Sequence, residues 1–307
     1  MSQRSGISTG KLIEQVGIGT SKYYSWLWRS GHPNHHNGQI PRYFWLLPWE
    51  REAILDYCRT KLEEGYRRLT YMMLDENIVA VSPSTTYRVL KGAGWLRRWS
   101  QSRTVSAGAG FQQPDQVHQH WHMDISYVNI QGTFLFLITV MDGYSRKILH
   151  HELRRSMKQY DVQLTLQRAV EQYPDAQPVL ISDNGKQFLA KEFKEFLRFC
   201  GLRHIQTSPH YPQSNGKMER FYSTIKSEAI RRQSYLSIDD ARRQIDRYIT
   251  YYNEKRLHSS IYYLTLEEMF EGKLEKRLKE RQSKLDQAQE KRRNYTLFQN
   301  EVLSISR

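Results

Sequence analysis

Between residues 179 and 229 the hydrophobic period changes four times, and few folds accept the resulting order. Val179-Leu180-Ile181-Ser182 is a short run suited to a strand covered on both faces, and it halts at Asp183-Asn184-Gly185. Residues 190–200 then place Phe193, Phe196, Leu197 and Cys200 on one helical face, and Gly201 ends that helix. Leu202 to Thr207 reads as a second short strand, and Ser208 to Gln213, with prolines at 209 and 212, as a loop. A further helix carries Met218, Phe221, Tyr222, Ile225 and Ala229 inward at i, i+3, i+4, i+7 and i+11. Glu219 lies at the edge of that stripe, with Ser223 and Lys226 following on its own face. Strand, helix, strand and helix at these lengths predict parallel pairing. The carboxylate of Asp183 then falls at the C-terminal end of its strand, where α/β sheets place ligands, and the last helix returns Glu219 toward it.

A third carboxylate lies upstream. In residues 120–127, Trp121, Met123, Ile125 and Tyr127 alternate with His120, His122, Asp124 and Ser126, which predicts a half-buried strand with Asp124 in mid-span. Thr133 to Met141 and Ile148 to Leu153 read as two more strands around Asp142-Gly143. Hairpin geometry alone accounts for an Asp-Gly pair there, so Asp142 is left out of the candidate site. A helix over 157–173 should bury Val162, Leu166, Val170 and Tyr173. Three antiparallel strands, a helix, a parallel strand, a helix, a parallel strand and a final helix is the order of an RNase H-like α/β core, a mixed five-stranded sheet flanked by helices.

All-α segments flank this core. Residues 1–40 form a small helical segment and linker, in which Thr20 can cap a helix bearing Lys22. The end of a helix-turn-helix and an amphipathic helix packed on a neighbour describe it equally well. The three histidines at 32, 35 and 36 lack a cysteine pair and do not make a zinc site. Residues 41–98 hold a helix from Pro48 burying Ile54, Tyr57, Cys58 and Leu62, a second over 66–74, and a third over 84–91 introduced by Ser82 and Pro83. Two short helices about a turn, the second offering Thr85, Thr86, Arg88 and Lys91, fit a DNA-reading helix-turn-helix. Residues 99–117 are a Gly-bearing linker, 118–235 the catalytic core and 236–307 a helical C-terminal region. Within that region residues 272–293 read as one exposed basic helix, whose Leu274, Leu278, Leu285 and Ala288 hold a heptad seam broken by Arg281. Such a helix is either merely solvated or serves dimerisation or the DNA backbone.

Asp124, Asp183 and Glu219, the last two separated by thirty-five residues, resemble the D,D,35-E triad of the retroviral-integrase superfamily. The flanking words Trp121-His122-Met123-Asp124, Ser182-Asp183-Asn184-Gly185-Lys186-Gln187-Phe188, Asn215-Gly216-Lys217-Met218-Glu219-Arg220-Phe221 and Tyr251-Tyr252-Asn253-Glu254-Lys255-Arg256-Leu257-His258-Ser259 are similar to those of DDE transposases of bacterial insertion sequences, second-frame products of the IS-three group. The likeness covers roughly residues 50–270. It implies a polynucleotidyl transferase that cleaves DNA and transfers strands with two Mg²⁺ ions, for which Mn²⁺ can substitute. Asp124, Asp183 and Glu219 would be both catalytic and metal ligands. Lys226 would grip a phosphate near the cut, and Lys186 is a further DNA contact. Lys217 and Arg220 are contacts too, or belong to a solvated face. The partners implied are double-stranded DNA of the terminal repeats and the target, at least a second copy of the chain, and a first-frame helix-turn-helix protein.

The 46 Lys and Arg against 32 Asp and Glu give +14, an electrostatic footprint that suits a polyanion. Cys58 and Cys200 sit on apolar helix faces in no Cys-x-x-Cys pattern, which is the usage of a reduced, cytoplasmic protein, and no long apolar span suggests a membrane. A nuclease without strand transfer shares the same carboxylates, and a non-catalytic DNA-binding regulator would not need them. A retroviral-type integrase lacks support, because the amino-terminal region carries no His-His-Cys-Cys set.

Overall fold

The computed structural model describes residues 7–31, 45–61, 63–96, 113–206 and 216–305, with side chains as far as 299. The histidines at 32, 35 and 36, Leu62, most of the linker at 99–117 and the loop at 208–215 lie outside those residues. Helices α1 (Thr9–Val16) and α2 (Thr20–Arg29) belong to the first of two compact units, which also takes in residues 289–307. Gly17 ends α1 with φ of 70°, a left-handed turn that lets its N–H and that of Ile18 close on the carbonyls of Glu14 and Ile13. On α2 the Lys22 ammonium lies 5.2 Å from the Trp26 ring centre.

In the second unit, α3 (Pro48–Arg59), α4 (Tyr66–Asp75) and α5 (Pro83–Gly92) pack on one another. They bury Ile54, Cys58, Leu69, Met73, Val89 and Leu90. The Ser82 hydroxyl accepts the Thr85 N–H and Pro83 opens the first turn, so the start of α5 is written in its sequence. The sheet follows with β1 (His120–Ile130), β2 (Thr133–Asp142) and β3 (Ile148–Arg154). After α6 (Gln159–Gln172) come β4 (Val179–Ser182), the single turn α7 (Lys186–Leu189), α8 (Lys191–Phe199), β5 (Arg203–Gln206) and α9 (Gly216–Glu228). The strand order is β3-β2-β1-β4-β5, antiparallel between β1, β2 and β3 and parallel from β1 through β4 to β5. This is the mixed five-stranded, RNase H-like arrangement expected.

One expectation fails within β1. The strand is covered on both faces, not half-buried: His122, Asp124 and Ser126 are at most 9% exposed. Trp121 and Met123 pack with Val162 and Leu166 of α6 and Phe193 and Leu197 of α8. The polar face lies beneath α9, whose Tyr222 hydroxyl donates to the Asp124 carbonyl at 2.7 Å. The alternation therefore marked a face closed by a helix, not one open to water.

Helices α10 (Ile238–Glu254), α11 (Leu266–Phe270) and α12 (Leu274–Ile305) complete the chain. Packing runs straight across the boundary placed at 235, because Ala241, Ile245, Ile249, Leu264 and Leu266 share one core with Val128, Leu135, Met218 and Phe221. The word at 251–259 holds this union together. The Asn253 amide donates to the Ile148 carbonyl at 2.9 Å and accepts its N–H at 3.0 Å, and the Arg256 guanidinium grips Glu228 at 2.6 and 2.9 Å. Helix α12 also differs from expectation. It is longer than 272–293, Leu278 of the supposed seam is 39% exposed, and Arg281 is 3% exposed. Cys58 is buried and Cys200 sits at the core's rim, both as free thiols.

A charged cluster braces β3. Burial alone would raise the Glu152 carboxyl, but hydrogen bonds from His150 and Arg154 and the charges of Arg154 and Arg168 outweigh it and hold it at about 2. Its folded value is depressed, so its contribution is complete above the ordinary carboxylate range and is lost as pH falls toward 2. In Glu152→Gln the acid limb of a stability-against-pH curve should flatten. An unchanged limb in urea titrations between pH 5 and 2 would contradict this.

Candidate active site

Strands β1 and β4 run parallel with Met123 opposite Ser182. The next residue along each is an aspartate, so Asp124 and Asp183 are neighbours on strands about 4.8 Å apart. The Tyr222 phenol is buried between α9 and the sheet, and its pKa is raised first by burial and then by the charge of Asp124, with Asp183 adding to it. Both carboxylates thus bear on one point. Each is anchored locally: Asp124 Oδ1 accepts the Ile125 N–H at 2.8 Å, and Asp183 Oδ1 accepts the Gly185 N–H at 3.0 Å. A Cβ at position 185 would stand 2.6 Å from the Gln187 amide nitrogen, the far end of a flexible side chain, and 3.1 Å from Asp183 Oδ1, so a side chain here would crowd the carboxylate by a few tenths of an ångström.

Glu219 is exposed in the first turn of α9, three residues before Tyr222 and on the same side of the helix. It has not closed on the aspartates: among the described residues, no three His, Cys, Asp or Glu side chains gather tightly enough to hold one ion. The two aspartates are neighbours on the sheet, and the glutamate is exposed on the helix packed over it. Lys226, one turn beyond Tyr222, has its ammonium pushed down by burial and by Arg231 while the Asp124 charge opposes the shift.

The other expected contacts divide. Arg220 and Lys186 are exposed, as is Lys22 in its own unit. Lys217 is turned inward instead. Its ammonium donates to the Gly143 carbonyl at 2.6 Å, and burial and Arg146 push it down to about 8 against the pull of Asp142. His122 is neutral near pH 7, held at about 3 by burial and by the charges of Lys217, His120 and Arg146. Asp142 is fully buried, its carboxylate accepting from His118 N–H, Ser145 N–H and the Ser145 hydroxyl, which is the role in the turn expected of it.

On α5, Arg88 and Lys91 are exposed, together with Ser84 and Tyr87, which the sequence reading omitted. Thr86 is a correction. It is fully buried, and its hydroxyl accepts the Thr70 hydroxyl at 2.9 Å in the interior of the helix pair. Helical spacing carried the signal, since Thr86 shares a stripe with Val89 and Leu90. Thr85 is half-buried and pairs with the Ser82 hydroxyl at 3.0 Å.

Two family models, each described as integrase core domain, match residues 114–212 and 200–265. A transposase for insertion sequence element IS904 from Lactococcus lactis is 29% identical over 167 residues, 51% of this chain and 66% of that protein. The putative transposase InsK for IS150 from Escherichia coli is 25% identical over 223 residues, 68% of this chain and 78% of that one. Among solved structures, the HTLV-2 integrase catalytic core domain in complex with magnesium is 18% identical, with a TM-score of 0.41 over 51% of this chain and 98% of that chain. No helix among the described residues is long and apolar enough to cross a membrane. The aspartate pair lies within the matched core and the tail that completes it is matched as well, so the chain carries an integrase core domain over residues 114–265 and is similar to insertion-sequence transposases.

Proposed function

We propose that this chain cuts DNA at the ends of an insertion sequence and joins the freed 3′ hydroxyl to a second strand. The observation that carries this reading is the Asp124–Asp183 pair, two hard oxygen donors on adjacent parallel strands, with the Lys226 ammonium in the field of Asp124. Hard carboxylate oxygens suit Mg²⁺, which takes few protein ligands and keeps waters, and Mn²⁺ can substitute. Two such ions would neutralise the phosphate, activate the attacking hydroxyl and stabilise the leaving oxygen. Asp124, central in the sheet, would help hold both ions, Asp183 one, and Glu219 the other after turning inward. Lys226 then binds a phosphate next to the cut. Arg88 and Lys91, with Ser84 and Tyr87, present α5 to the major groove, while Lys22, Lys186 and Arg220 contact backbone. Two DNA ends must meet, so the working form is at least a dimer on DNA, acting on nucleoid DNA in the bacterial cytoplasm, and a first-frame helix-turn-helix protein can join it.

The test is strand joining on labelled end DNA. Joined product is expected with Mg²⁺, none after chelation with EDTA, and recovery when Mn²⁺ is added. Cleavage without any joining would favour a nuclease, and product formation in EDTA would remove the metal from the reading altogether.

A further inference from the structure

Arg281 breaks the apolar seam of its helix, and its side chain makes the contact that joins the two ends of the second unit. Its guanidinium is buried and bidentate on Asp75, the last residue of α4, with Nε donating at 2.9 Å and Nη2 at 2.6 Å. Nη1 also donates to the Tyr262 carbonyl at 2.9 Å, and Nη2 to the Tyr263 carbonyl at 2.7 Å. Those two tyrosines both have φ of 58°, a left-handed conformation that L residues adopt at a cost, and it turns both carbonyls onto one cation. The guanidinium lies 4.8 Å from the Tyr71 ring centre, and Tyr71 stacks on Tyr263 at 4.7 Å. One turn further along α12, the Lys284 ammonium donates to the Leu74 carbonyl at 2.9 Å, so a residue of the tail caps the C-terminus of α4.

These contacts form a continuous rigid path. Helix α5 packs on α4, α4 ends on Arg281, and Arg281 holds residues 262 and 263. Ile261, Leu264 and Leu266 on either side share one core with Met218 and Phe221 of α9, the helix that bears Glu219. Ordinary core packing would not need a buried ion pair fed by two strained carbonyls. Such a pair adds geometry more than stability, since a planar guanidinium with four of its five N–H donors engaged admits one orientation.

We propose that Arg281 and Asp75 are positioning residues that fix the distance between the end sequence read by α5 and the phosphodiester cut at the carboxylates. The inference rests on the reading of α5 as the helix that contacts DNA ends.

The experiment compares wild type with Asp75→Asn/Arg281→Met, which removes both charges together and leaves neither buried alone. End binding, cut positions at nucleotide resolution and joining are measured on the same labelled DNA, with Arg88→Ala as the reference for reading by α5. The double variant should bind ends within about twofold of wild type, while its cuts spread over neighbouring nucleotides and joining falls about 10²-fold, the scale of an ångström-level misplacement. A general loss of stability would reduce product without moving the cut. Cuts confined to the wild-type position, with Arg88→Ala still impaired in binding, would overturn the clamp and leave the reading of α5 standing. Wild-type binding by Arg88→Ala would overturn that reading, and the clamp with it. Should the double variant fail to fold, Lys284→Met, which spares the ion pair, is scored on the same displacement of cuts.

Discussion

Glu219→Gln is expected to bind end DNA as wild type does and to lose strand joining by about 10³-fold, the equivalent of the several kcal/mol of charge stabilisation that a metal site supplies. Glu219 is exposed in the first turn of α9 and outside the core, so the fold does not depend on it. Its charge near a helix N-terminus is worth only about 0.3–1 kcal/mol to the helix, too little for the variant to unfold. Glutamine keeps the shape and one oxygen but removes the anionic ligand. Joining within tenfold of wild type, read on labelled ends with Mg²⁺, would show that the aspartate pair works without the glutamate and would remove Glu219 from the site.

Arg256→Met carries the largest effect expected on stability. Arg256 is 9% exposed and bidentate on Glu228, which also accepts the Tyr248 hydroxyl at 2.8 Å. Removing the arginine should cost about 3 kcal/mol, the low end for a buried pair, because the Glu228 charge left behind without its counterion keeps 29% exposure. For a unit of this size that lowers the melting temperature by roughly 10 °C. Glu228 ends α9 and Arg256 follows α10, so the loss should be felt as loosening of the helix that bears Glu219. The matched double variant Glu228→Gln/Arg256→Met should recover most of the loss. If the single variant melts within about 2 °C of wild type, well inside that shift, the pair is not the tie described here.

Much of the site was legible before any tertiary contact was known. The run at 179–182 that halts at Asp183, the alternating strand through Asp124 and the helical stripe around Glu219 each has a local cause in periodicity, and each lies where it was expected. The short turn α7 was not legible, since four residues carry no period. Nor was the inward turn of Lys217, because a lysine at the edge of a helical stripe reads as solvated until a neighbouring carbonyl, here that of Gly143, is brought to it. Arg281 shows the same limit more sharply. In the sequence it interrupts a heptad, and in the fold it is the buried centre of four hydrogen bonds.

By itself the sequence determined the order and type of the core elements, because dihedral preference and side-chain period act over a few residues, whereas the pairing of β1 with β4 that sets Asp124 beside Asp183 came from the fold. Only the tertiary structure decided what covers each face. It placed α9 over the polar side of β1, buried Thr86 within the helix pair and merged the tail beyond residue 235 into the catalytic core. Periodicity says which side chains share a face, but the burial of that face depends on contacts between residues far apart in the chain, and no local pattern encodes them.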